Sequence, residues 1–250
     1  MKLTETKLKE LVKEILDEAW AITNKNRATG QNAGAGSLSP RQMKKPGDGA
    51  MAVSQNQELH GWDKYIQLVA EQYANLPKET PEGRKSYEAF AEHITSLYPK
   101  VTSAYDVSFV DDQPYKSARH MSKSVANTGD FKVSRQFIQS DNPEEMDINL
   151  KNRAVHDFFG HLNARGHERG DYNAFSFKGE VKAYQKQLRM ASTAATPFLF
   201  TVLVGQLCYF YHYGENGPLK VALMPNFDPI KIGRVDGYKI TLNGDLEREQ

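Results

Sequence analysis

Residues 24–57 set the tightest limit on what this chain can fold into. They are rich in Gly, Ala, Ser, Asn and Gln and hold almost no large apolar side chain, so burial cannot offset the entropy of ordering them. The stretch reads as a flexible linker, assigned to 21–57, between a leader, 1–20, and a body, 58–250. Any core has to come from the body, which is long enough for one domain.

In the leader, Leu3, Leu8, Leu11, Val12, Ile15 and Leu16 fall at helical spacing with Lys and Glu between them. That pattern predicts a short amphipathic helix. Detached from a core, such a helix is marginal in water until a partner covers its apolar stripe, so it reads as a docking peptide.

The body reads as mainly α, in an α+β domain. Trp62, Tyr65, Ile66, Val69 and Tyr73 repeat at three and four, predicting a helix that Pro77 ends. A second helix is expected over about 81–97, stopped by Pro99. Tyr105, Val107 and Phe109 alternate as a strand over 105–110, a further strand is expected within 131–138, and a helix over 114–125 lies between them. Asp147 is the expected N-cap of a helix reaching Leu162, and Ser176 that of a helix from Phe177 to about Met190, packed through Val181, Tyr184 and Leu188. The longest apolar run, 198–213, is broken by Gly205 and Gln206 and is shorter than the roughly 20 residues that span a bilayer. It is expected to be a buried core helix. After Gly217, turns around the short apolar runs 221–224 and 238–242 predict a small β-element.

Charge and cysteine usage narrow the function classes. Lys and Arg total 32 against 31 Asp and Glu, a formal charge of +1, so no global field draws the chain to nucleic acid or anionic lipid. Lys116, Arg119, Lys123, Lys132 and Arg135 form a possible phosphate-contacting patch, but such a run usually marks a solvated face, and nucleic acid is not indicated. No segment has the apolar h-region of a secretory signal. Cys208 stands alone, which excludes an internal disulfide or a thiolate cluster and fits a reducing compartment. Metal ligands, where there are any, must be His, Asp or Glu.

The chemistry concentrates in Ala154-Val155-His156-Asp157-Phe158-Phe159-Gly160-His161, followed by Gly179-Glu180. Two imidazoles and a carboxylate suit a mononuclear centre, either Fe(II) with open positions or Zn(II) with a bound water. On a regular helix residues five apart differ by about 140°, so His156 and His161 would not face one atom. The metal reading therefore requires either a π-bulge or a helix end at Gly160. Glu180, early in the next helix, is the expected third ligand. Asp157 is the catalytic candidate, as orienter of an imidazole or as proton acceptor. The competing reading is a non-catalytic protein in which the same side chains form a buried hydrogen-bonded network. His120 beside Tyr115 and Arg119 is a candidate pocket residue, Tyr184 a further one; His167, Glu168 and Asp171 are expected to face solvent, as are His60 and His93 on their separate helices, and His212 to be a core histidine.

Asn152-Arg153-Ala154-Val155-His156-Asp157-Phe158-Phe159-Gly160-His161, then Gly179-Glu180 with Ala183-Tyr184, resembles an uncharacterised domain of bacteriophage proteins, including large polyvalent phage proteins. The preceding Asp111-Asp112-Gln113-Pro114-Tyr115 also fits, so the resemblance covers roughly 105–215; it departs after Met190, where an apolar run replaces the family's polar stretch. It implies phage origin, with the virion or the bacterial host cytoplasm as location, and supplies no reaction. The His-x4-His spacing is more distantly similar to the iron site of aromatic amino acid hydroxylases, which implies that one iron can be held this way; their Glu lies further downstream and no pterin-site pattern is present. The leader resembles the Lys- and Leu-rich leaders of many phage proteins, and Leu16-Asp17-Glu18 before Ala19 resembles a prohead protease site. Those likenesses imply capsid or prohead partners and cleavage between Glu18 and Ala19.

Overall fold

A computed structural model describes residues 61–136, 138, 140–162, 177–241 and 245–249. The expectations for the leader helix, the linker, the Glu18/Ala19 cleavage point, His60, His167, Glu168, Asp171 and the Ser176 cap lie outside the described residues. Within them the protein is mainly helical with two small sheets, the expected α+β class.

Helix α1, Asp63–Asn75, buries Tyr65, Ile66, Val69, Ala70 and Tyr73, so the three-and-four repeat sets its inner face. It ends just before Pro77, and its last carbonyls are taken by Lys220, whose Nζ donates to Ala74 O at 2.7 Å and Leu76 O at 2.6 Å. Helix α2, Pro81–Ala104, starts where Thr80 Oγ1 accepts from Gly83 N–H and Pro81 occupies the first turn. It does not stop at Pro99, as its proline had suggested. The apolar stripe continues through it as Ile94, Leu97 and Val101, all buried, while Pro99 itself is exposed. Burial on one side thus outweighs the hydrogen bond lost on the wet side.

Strands β1, Asp106–Val110, and β2, Asp130–Ser134, pair in parallel from Asp106↔Asp130 to Val110↔Ser134. Helix α3, Ala118–Thr128, crosses between them. Ser117 Oγ accepts from His120 N–H to start α3, later than position 114, and Gly129 ends it at φ 75°. Helix α4 is Pro143–His156. Its N-cap is Asn142, whose Oδ1 accepts from Glu144 N–H at 2.9 Å, and Pro143 follows. Asp147 lies inside the helix and pairs with Lys151 at i,i+4, so its expected capping role is corrected.

The chain leaves α4 without a break into a π-helical turn, π1, Asp157–Leu162. Helix α5, Phe177–Leu188, then α6, Thr196–Phe200, a second π turn, π2, Thr201–Gly205, and α7, Gln206–Tyr213, complete the helices of the described residues. The α6–π2–α7 rod is the buried apolar run: Phe198 packs between Phe90 (5.1 Å between ring centroids) and Tyr87 (5.2 Å). No helix among the described residues is long and apolar enough to cross a membrane. The tail forms a β-element, an antiparallel sheet of β3 (Arg234–Val235), β4 (Tyr238–Ile240) and β5 (Leu246–Arg248); of the two expected runs only 238–242 supplies a strand, while Val221 makes just an isolated bridge to Glu79.

Candidate metal centre

The geometric objection raised by five-residue spacing is met by π1. A π turn bonds residue i to i+5, so side chains five apart come to one side of the helix. The His156 and His161 rings accordingly meet edge to face, with centroids 5.2 Å apart. Gly160 does not end the helix. Its role is contact: a Cβ there would lie 2.5 Å from Ala183 Cβ, so only glycine lets π1 and α5 approach this closely.

That approach brings in Glu180 from the first turn of α5. Helix α5 buries Phe177, Gly179, Ala183, Tyr184 and Gln187. Its inner face is therefore rotated from the expected Val181–Tyr184–Leu188 stripe, both of whose ends are only half-buried. Glu180 Oε2 lies 2.9 Å from His156 Nε2 and 3.5 Å from His161 Nε2. One candidate ligand atom from each of His156, His161 and Glu180 falls within 4.8 Å of the others. His161 is 1% exposed and His156 6%. The longer contact is an ion-pair distance and not a hydrogen bond, which leaves the buried His161 Nε2 with no hydrogen-bond partner among the described residues.

A second layer holds His156. Its Nδ1 meets Gln187 Oε1 at 3.2 Å, and Gln187 Nε2 donates to Asn152 Oδ1 at 2.9 Å. Because the amide nitrogen is committed to Asn152, the amide oxygen must accept, and the proton belongs on Nδ1. Nε2 is then presented to Glu180. Two acceptors 2.9 Å apart need either a shared proton or a cation between them.

Electrostatics follow from burial and close charges. Burial pushes the Glu180 carboxyl up, yet the His161 charge and the hydrogen bond and charge of His156 outweigh it and bring it down to about 2. Burial pushes His161 down, but Glu180 and Asp157 reverse this and hold it above its ordinary value. Burial raises the Asp157 carboxyl, against the pull of His161, His156 and Arg153. Arg153 is depressed by burial and supported by Asp157 and Glu180, and its Nη1 donates to Ser134 O at 3.0 Å and Gln136 O at 2.5 Å. Lys186 Nζ donates to Gly160 O at 3.2 Å, tying α5 to π1.

The structure therefore unites His156, His161 and Glu180, with Asp157 close enough to feel both imidazoles. The oxygen that meets His156 Nδ1 is that of Gln187 and not that of Asp157. The other candidates make their hydrogen bonds away from the cluster. Tyr115 is buried, with its hydroxyl accepting from Lys132 N–H at 2.9 Å. His120 is exposed and accepts from Lys116 N–H at 3.2 Å through Nδ1. Tyr184 is buried against Phe200 and donates its hydroxyl to Pro229 O. Gln187, Asn152 and Arg153 were not singled out from sequence. Their signal was positional: Gln187 lies two helical turns after Glu180, and Asn152 one turn before His156.

The chain matches no protein-family model, no curated protein and no solved structure.

Proposed function

We propose that this is a bacteriophage metalloprotein in which His156, His161 and Glu180 hold a single Fe(II) or Zn(II) ion and leave positions open for reaction with a small-molecule substrate. One observation carries the reading: among the described residues His161 Nε2 is buried with no hydrogen-bond partner, only a 3.5 Å ion-pair contact to Glu180, beside a second imidazole. A stranded buried polar atom costs about 1–3 kcal/mol, and an ion in that place would remove the cost. The donor set fits: two imidazoles and a carboxylate, with a backing amide on one histidine, suit either metal.

When bound, such an ion supplies Lewis acidity for hydrolysis or, as iron, a centre for oxygen chemistry. The chain's own residues do the rest. Gln187 Oε1 holds the His156 Nδ1 proton, so that Nε2 faces inward. The Asp157 carboxyl, raised by burial, is suited to accept and return a proton beside the cluster. Arg153 supplies the compensating positive charge. The resemblance of the 152–161 and 179–184 segments to a phage domain, and of the leader to phage leaders, supports a place in the virion or the infected cell.

A second reading has a specific observation behind it, because the 2.9 Å His156–Glu180 contact is also a good hydrogen bond in a purely structural network. Elemental analysis of full-length protein purified without a histidine tag separates the two. Stoichiometric iron or zinc, lost in both His156→Ala and Glu180→Ala, is the expected result. A folded wild type that takes up neither metal when reconstituted leaves the network in its place.

A further inference from the structure

We infer that the outer edge of β1 pairs with β1 of a second copy of this chain, in an antiparallel register centred on Ser108. In the parallel ladder, Asp106, Ser108 and Val110 turn their main-chain groups towards β2; Asp106 N–H donates to Gly129 O at 3.1 Å, and Arg135 N–H to Val110 O at 2.7 Å. Val107 and Phe109 must therefore turn theirs the other way.

The two edges of this sheet are treated differently. On β2 the outward groups are closed by side chains: Asp130 N–H donates to Thr128 Oγ1 at 3.0 Å, Lys132 N–H to Tyr115 Oη at 2.9 Å, and Arg153 Nη1 to Ser134 O at 3.0 Å. On β1 the outward groups of Val107 and Phe109 meet no hydrogen-bond partner among the described residues. The segment Asp106–Val110 carries no lysine or proline and its register runs without a bulge; its one charge, Asp106, sits at the end of the strand, so among the described residues nothing guards the middle of this edge.

The sequence of this edge is complementary to itself. With Ser108 opposite Ser108 of the second copy, Val107 faces Phe109 and Phe109 faces Val107, each pair exchanging both main-chain bonds. Asp106 then faces Val110, and Asp111 faces Tyr105, so no acidic residue is set opposite another. The half-buried Val107 and Phe109 share one face and extend it across the axis, while the exposed Asp106 and Ser108 share the other. The result is a closed, isologous dimer around a four-stranded sheet.

The test uses full-length protein. Residues opposed in this register at Ser108 bring their Cα atoms to about 4.5 Å, within disulfide reach. Oxidised Ser108→Cys should run as a covalent dimer that reductant reverses; the native Cys208 is buried and does not compete. Wild type should sediment as a dimer. Ser108→Lys and Ser108→Glu should each sediment as monomers, with the dimer restored on mixing, an outcome that a folding defect would not give. A wild type that stays monomeric at every concentration, or a folded Ser108→Cys chain that never cross-links, overturns the inference, and an edge closed by a different protein would give that result.

Discussion

His156 keeps its orientation through Nδ1, so the residue that governs it is Gln187 rather than another charged group. Removing that support should loosen the metal without removing a ligand. Gln187→Ala is expected to weaken iron or zinc retention about 10–100-fold in competition with a chelator, while Gln187→Glu, which keeps an acceptor at the same place, should retain more than the alanine variant. Equal affinities for wild type and Gln187→Ala would contradict the assigned support. Sequence exposes the three proposed ligands because ionisable side chains amid Val155, Phe158 and Phe159 need a reason to be there. It hides Gln187, since a glutamine on a helix is ordinarily a solvated residue. Only the observed inner face of α5, which includes Ala183 and Tyr184, shows that position to be buried.

At the scale of elements, the decisive contact is π1 against α5. Gly160→Ala would place a methyl group 2.5 Å from Ala183 Cβ, so the helices must part. A loss of about 1–3 kcal/mol is expected in urea unfolding, together with reduced metal content, because the movement carries His161 away from Glu180. Ala183→Gly in the same chain should recover part of both losses. Unchanged stability in Gly160→Ala would show that the approach is not tight. The need for a distortion near Gly160 was legible from five-residue spacing, and of the two forms expected, the π turn is the one found. Element ends were less legible. Asn142-Pro143 is the better helix start than Asp147, since it combines a capping oxygen with a residue that has no N–H to satisfy. The Pro99 stop failed because burial of Leu97 and Val101 depends on tertiary packing that no local signal carries.

Over the whole molecule, one core joins early and late parts of the chain: α1 packs on α7, and Lys220 near the far end closes the carbonyls of α1. Global unfolding should therefore report on the ionic site as well. In the metal-free protein Glu180 has a folded value below its ordinary 4.5, so its contribution is present above that pH and lost as pH falls towards 2. His161 has a folded value above its ordinary 6.5, so its contribution is present below that pH and lost as pH rises through the raised value. Both act in full only between 4.5 and 6.5. The metal-free thermal midpoint is expected to peak there, with the alkaline decline flattened in His161→Ala; a decline unaffected by that substitution would contradict the assignment. If the proposed ion is held there, its retention should rise with pH, because binding would have to displace the His161 proton. The class of the molecule was readable from periodicity and the apolar run at 198–213, whereas the union of α4, π1 and α5 depends on a close approach that periodicity does not encode. The row of His156, Gln187 and Asn152 has one more consequence. Sliding α4 past α5 by a single turn, about 5.4 Å, would strand all three groups away from water, so the pair acts as a keyed joint. Breathing of this region has to be a rocking about that key.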